Sequence, residues 1–291
     1  MEFDDVFTAE PPAMFTVDVE EWFHILDSPA APPIERWDTL ESRLDVGLDS
    51  LLTMLETMNV RATFFWLGWM AERHPEAVRR CHEAGHEIAS HGYAHVLAYE
   101  VGREPFFQDI DRAKKTLEDL TGRPIAGFRA PGFGITEEAD WAFEIIKRAG
   151  YQYDSSVFPS ARGHGGRPGA TLGAHMIETP AGPLPEIPMS MIEVAGRRLS
   201  LFGGGYLRIS PRWLIRWGLK RLSASGQPLV VYVHPREVDP QHPRLPLGPV
   251  RRFKSYVNLQ STTSKLEWLA SSRAPFCLMH DYVRERFPKA A

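Results

Sequence analysis

Residues 85–95 read Gly85-His86-Glu87-Ile88-Ala89-Ser90-His91-Gly92-Tyr93-Ala94-His95. Ile88 and Ala89 rise out of a polar start and stop at Ser90, as a short buried strand does. His91 and His95 follow at once, four positions apart. If the chain turns into a helix there, both imidazoles fall on one face and can grip one cation. Two histidines at this spacing are most often surface residues, so the pair gains weight only from its company. Upstream, the apolar run Ala13 to Val17 ends in Asp18-Val19-Glu20-Glu21. Downstream, the apolar run Pro228 to Val233 ends in His234.

Working outward, Val60 to Leu67 reads as a second buried strand, rich in Thr, Phe and Trp. The stripes at 44–58, 70–84 and 106–120 read as helices, with Gly85 and Gly122 as their stops. Ile125 to Arg129 reads as a strand ending in Arg129-Ala130-Pro131-Gly132-Phe133. Glu137 to Ala149 reads as a helix with Thr136 as N-cap, and Tyr151 to Ser155 as a strand carrying Asp154. Strands alternating with helices at short spacing mean parallel βα units. Residues 159–209 break the rhythm with Gly and Pro and predict loops and hairpins, with strands near 184–188 and 198–202. Gly203-Gly204-Gly205-Tyr206 lacks the frame of a phosphate loop. Its glycines suit a close backbone approach to a ligand or another strand. A helix over 211–224 precedes the strand that ends in His234. A loop over 235–258, a helix over 259–271 and a strand over 276–279 complete the reading.

Residues 1–12 read as a loose acidic tail and 13–291 as one domain. The candidate polar residues all sit at strand C-terminal ends: Asp18 with Glu20, Ser90 with His91, Arg129, Asp154 and His234. In barrels and open α/β sheets that end is where sites assemble.

Composition sets the outer limits. The 291 residues carry a net charge of −4, so no basic balance argues for nucleic acid. The two cysteines, Cys81 and Cys277, are too few for a disulfide framework and read as core thiols. No stretch is apolar enough to span a membrane. The acidic N-terminus lacks the pattern of a signal peptide, so a cytoplasmic protein is expected.

In order along nearly the whole chain, these residues resemble the polysaccharide deacetylase family, the NodB-homology group. Thr16-Val17-Asp18-Val19-Glu20 is similar to its Thr-Phe-Asp-Asp-Gly motif, Ser90-His91-Gly92-Tyr93-Ala94-His95 to its His-Ser/Thr-x-x-His, and Arg129-Ala130-Pro131-Gly132 to its Arg-x-Pro-Tyr. Asp154 and His234 fall where the later motifs have an aspartate and a histidine. Asp-Val-Glu-Glu-Trp-Phe and His-Pro-Arg-Glu-Val-Asp-Pro look most like the subgroup linked to bacterial exopolysaccharide (exosortase, PEP-CTERM) loci. The resemblance implies a distorted (β/α) barrel, one divalent metal ion, usually zinc, and removal of N-acetyl groups from a glycan.

It also implies roles. Glu20, His91 and His95 would hold the metal, with Glu20 replacing an aspartate that Val19 has displaced. Residues 18 and 20 share one side of an extended strand, so both acids can serve one site. Asp18 would be the base, paired with Arg129. His234 would be the acid, oriented by Asp154, with Glu237 as rival. The Gly132 N–H would help hold an oxyanion, and Trp22, Phe133 and Tyr206 would bind sugar rings. Two other readings stay open: a metal-dependent hydrolase of a small molecule such as a cyclic ureide or an acylated amino sugar, and a non-catalytic carbohydrate-binding protein on the same fold.

Overall fold

The computed structural model describes residues 10–273 and 275–289. Most of the expected tail therefore lies outside the described residues. Of the remainder, Glu10 and the Pro11 carbonyl accept from Arg273, and the Pro12 carbonyl accepts the Leu229 N–H at 2.9 Å.

The strands are β1 (Ala13–Val19), β2 (Thr63–Trp66), β3 (Glu87–Ser90), β4 (Gly127–Phe128), β5 (Tyr153–Asp154), β6 (His175–Thr179), β7 (Gly182–Glu186), β8 (Ile192–Val194), β9 (Arg197–Leu199) and β10 (Leu229–Val233). Eight of them make one sheet in the order β10-β1-β2-β3-β4-β5-β7-β6. It is parallel except for the β6–β7 hairpin; β8 and β9 form a separate ribbon. The sheet curls, with helices packed outside it, into a distorted (β/α) barrel.

Strand periodicity sorts the side chains. Phe15, Val17, Val19, Phe64, Trp66, Val231 and Val233 face outward into the helix layer. Met14, Phe65, Ala89, Val230 and Tyr232 face inward, forming the barrel interior with Ile187 and Met189. Successive residues alternate faces. The inward rows therefore continue as Met14, Thr16, Asp18 on β1, Ala89 then His91 after β3, and Val230, Tyr232, His234 on β10. The alternation that builds the core also delivers the polar groups to one rim.

Among the described residues the barrel does not close by pairing of its edge strands. Across the seam, the Val230 N–H donates to Ser190 Oγ at 2.8 Å, and that hydroxyl donates to the Pro228 carbonyl at 3.0 Å. Gly203 bridges to Tyr232, where a Cβ would lie 2.1 Å from the ring. The close approach expected of this glycine run is met there, and Gly204–Ile209 then forms a short helix.

Several local expectations need correction. The 70–84 stripe is two helices, Gly68–Arg73 and Pro75–Glu83, because Pro75 cannot continue the first. Residues 137–148 form a 3-10 turn and then the helix Ala142–Arg148, and Thr136 makes no side-chain cap. The loop expected over 235–258 contains the helix Pro249–Tyr256, whose only buried residue is Tyr256. The final strand is a single bridge at Phe276, followed by the helix Met279–Arg286. Cys81 is fully buried; Cys277 is only partly so.

Candidate active site

The histidine pair does not stand on a helix. After Ser90 the chain turns through Gly92 (φ 77°) and His95 (φ 55°). Asp109, from the helix Arg103–Thr121, shapes this loop by accepting the Tyr93 and Ala94 N–H groups at 2.7 and 2.8 Å. The imidazoles converge all the same. Nε2 of His91 lies 3.3 Å, and Nε2 of His95 3.0 Å, from the same Oε1 of Glu20. One ligand atom from each of these three buried residues lies within 4.8 Å of the others.

Glu20 and Glu21 part company. The Glu20 N–H donates to the Asp18 carbonyl at 3.0 Å in a tight turn that keeps Glu20 on the Asp18 side. Glu21 points away and accepts the Ser42 hydroxyl and the Arg43 and Leu44 N–H groups at the start of the helix Leu44–Thr57. There it satisfies orphan donors and complements the helix dipole.

The residues fit a cation. His91 Nδ1 is 2.7 Å from the Arg129 carbonyl, which can only accept, so the ring hydrogen sits on Nδ1. In the neutral imidazole Nε2 then turns a lone pair toward the Glu20 carboxylate, an arrangement that needs a positive charge between them. Two imidazole nitrogens and one carboxylate oxygen form a donor set for a divalent transition metal with positions left open. Burial works against the Glu20 charge, but the neighbouring His95 and His234 outweigh it and hold its carboxyl well below the ordinary range.

Asp18 and His234 flank the cluster. Asp18 Oδ1 accepts Arg129 Nη1 at 2.6 Å, and Arg129, fully buried, is pinned in turn by Thr16 and Ser155. His234 Nε2 lies 4.0 Å from Asp18 Oδ2 and 3.6 Å from Glu20 Oε1. Its Nδ1 meets Glu237 Oε2 at 3.0 Å, and Glu237 Oε1 accepts Arg208 Nε at 2.7 Å. Burial alone would lower His234, but Glu20 and Glu237 raise it. Burial likewise opposes the Glu237 charge, yet Arg208 and His234 bring that carboxyl down to about 2.

Asp154 does not orient His234. It accepts the Ser156 hydroxyl at 2.6 Å, and Ser156 Oγ accepts the Ala130 N–H at 2.7 Å. Burial and the neighbouring Asp154 charge push Glu186 well above the usual carboxylate range, so that carboxyl keeps its proton beside Asp154. The pair braces the backbone after β4, and Glu237 takes the place expected of Asp154. Trp22 is also displaced from its expected role: it is buried and donates its indole N–H to the Glu41 carbonyl. Gly132, Phe133 and Tyr206 do line the cleft, of about 600 Å³, into which Asp18, Glu20, His95 and His234 open.

Sequence reasoning passed over three residues. Arg208 anchors Glu237, and Asp109 shapes the histidine loop. His24 lines the cleft; its Nδ1 accepts the Glu21 N–H at 3.1 Å, which leaves Nε2–H buried without a partner. The faint signals for Arg208 and Asp109 were charges on otherwise apolar helix faces.

The structure is a curled, mostly parallel (β/α) barrel with the Glu20, His91 and His95 donor set flanked by Asp18 and His234 at its strand C-terminal ends. Residues 42–153 match the polysaccharide deacetylase family model, and residues 155–284 match a domain of unknown function, DUF3473. A peptidoglycan-N-acetylglucosamine deacetylase of Bacillus cereus is 35% identical over 35% of this chain and 46% of its own length. A chitooligosaccharide deacetylase of Azorhizobium caulinodans is 34% identical over 32% of this chain and 42% of its own length. The chain thus spans less than half the length of these relatives. Similar folds include a candidate polysaccharide deacetylase of Mycobacterium smegmatis, with TM-score 0.65 and 20% identity over 99% of this chain and 93% of that one. The Puue allantoinase has TM-score 0.63 and 17% identity over 96% and 90%. Among the described residues no helix is long and apolar enough to cross a membrane.

Proposed function

We propose that this chain is a metal-dependent N-deacetylase of an amino-sugar glycan, with zinc as its resident ion and a bacterial exopolysaccharide as its substrate. The observation that carries this reading is the clustering of Glu20, His91 and His95 beside Asp18 and His234, at the wall of one cleft. The exopolysaccharide assignment leans on the wording of the motifs around Glu20 and His234.

Glu20, His91 and His95 would hold the ion, which when bound would polarise the acetyl carbonyl and acidify water. Asp18 takes the proton of the attacking water on Oδ2, the oxygen that Arg129 leaves free. His234 presents Nε2 into the cleft because Glu237 holds Nδ1, and it gives its proton to the departing amine. The new C–O bond replaces the C–N bond, and acetate and the free amino sugar leave. Tyr206 offers an exposed ring face to sugars, whereas Phe133 lies buried beneath Arg162, and Gly132, at φ 62°, puts backbone in the cleft wall.

The test is acetate release together with elemental analysis. Asp18→Asn and His234→Ala are expected to keep the ion and the fold while losing activity by about 10²- to 10⁴-fold each. Loss of the ion from Asp18→Asn would make Asp18 a ligand and overturn the assignment of base and ligand. Full activity in both variants would overturn the reaction itself.

A further inference from the structure

The cleft holds more positive charge than its own carboxylates use. Its acidic lining residues are Asp18, Glu20, Asp27 and Glu237. Asp18 is paired with Arg129, Asp27 with Arg251 at 3.4 Å, Glu237 with Arg208 and His234, and Glu20 with the imidazoles and, at 3.9 Å, with Arg236. Among the lining cations, Arg208 is committed to Glu237 and to the Lys254, Ser255 and Val257 carbonyls. Arg251 is committed to Asp27 and the Leu26 carbonyl. Arg162 and Lys254 remain, and Arg236 reaches Glu20 Oε2 through Nη2 at 3.9 Å while its Nε stays free.

Two of these carry donors with nothing to donate to. Arg162 Nη1 and Arg236 Nε are buried without a hydrogen-bond partner. Leaving a charged N–H buried and unpaired costs more than leaving a neutral one, so such donors in a cleft wall point to an oxyanion. Arg162 is preorganised. Its guanidinium lies 4.6 Å from the Phe158 ring centroid and 5.0 Å from that of Phe133, and Tyr206 stacks on Phe158 at 6.2 Å. A planar fork fixed on aromatic faces suits bidentate capture of a carboxylate or phosphate.

The chain supports the same sign on a larger scale. Its net charge is −4, yet it has no acidic residue between Glu193 and Glu237 and none between Asp239 and Glu267. Those stretches supply the helices Gly204–Ile209 and Pro249–Tyr256, which border the cleft. The overall acidity conceals a basic lip.

We propose that the cleft takes an acidic glycan, with Arg162, Arg236 and Lys254 forming a subsite for a carboxylate or phosphate on the same polymer that carries the N-acetyl group. This rests on the deacetylase reading for its reaction but not for its binding. Calorimetry on the whole protein would therefore compare three probes at low ionic strength: a hyaluronan tetrasaccharide for the carboxylate, UDP-N-acetylglucosamine for the phosphate, and the neutral N-acetylated chitotetraose. At least one acidic probe is expected to bind about tenfold or more tightly than the neutral one, and to weaken as salt rises. Whichever binds names the oxyanion. Arg162→Gln with Lys254→Gln is expected to abolish that preference, and restoring charge with Arg162→Lys to recover part of it. Thermal melting of each variant separates lost binding from lost folding. Equal affinity for all three probes, or a preference that survives the double substitution in folded protein, would overturn the subsite. A preference without acetate release from any substrate would leave the subsite standing and remove the deacetylase reading alone.

Discussion

At the scale of single residues, Glu20 and Glu21 are adjacent acids with opposite duties. Glu20 belongs to the donor cluster, and Glu21 caps a helix. Glu20→Gln is expected to weaken binding of a divalent cation by at least about tenfold, because a charged ligand becomes neutral. Glu21→Gln should leave that affinity alone and cost about 1–2 kcal/mol of stability through its capping bonds. Metal titration and urea unfolding of both variants check the pair; the reverse pattern would exchange their roles. Strand alternation favoured this division in the sequence, but β1 ends at Val19 and the turn after it is what keeps Glu20 on the Asp18 side. Asp154 shows the limit of that signal. An aspartate at a strand end reads the same whether it faces a cleft or a buried partner, and Glu186, its partner, is distant in sequence.

At the scale of elements, two joints carry the sheet. One is the seam beside β10, where the Ser190 hydroxyl replaces a backbone pairing. Ser190→Ala would orphan the buried Val230 N–H, so equilibrium unfolding should show a loss of about 1–3 kcal/mol. The other joint is His86, between the helix Pro75–Glu83 and β3, whose Nδ1 accepts the Ala62 N–H at 3.1 Å. Burial brings this imidazole down to about 4. The folded group is therefore neutral where the unfolded one, near 6.5, still binds a proton. Its contribution is complete above about pH 6.5 and is lost as pH falls toward 4, by roughly 2–3 kcal/mol. His86→Gln keeps an acceptor and should flatten that part of the stability–pH curve; an unchanged slope would rule this group out. The strands β1, β3 and β10 were legible because their apolar runs are continuous. The loop after β3 was not, because its path is imposed by Asp109, on another element. The helix Met279–Arg286 was masked by the apolar run before it, which reads equally well as a strand.

At the scale of the whole molecule, the rim was legible as a set of strand ends, and four of its five members converge as read: Asp18 with Glu20, His91, Arg129 and His234. The support behind them was not legible. Arg208 reaches Glu237, and Arg129 reaches Thr16 and Ser155, across separations that no local pattern encodes. The site also draws on residues before, within and after the segment matched by the deacetylase model, with the second matched region supplying His234, Glu237 and Arg208. Neither matched segment holds the whole site.

The pairing of β1 with β10 has a consequence in time. Residues 13–17 lie against 229–233, so the sheet around Asp18 stays incomplete through most of synthesis. At about 5–20 residues per second, a ribosome would deliver His95 some 7–28 s before His234. The nascent chain would hold Glu20, His91 and His95 well before His234. The half-built sheet of β1, β2 and β3 would then await β10, whose docking brings His234 to the rim last.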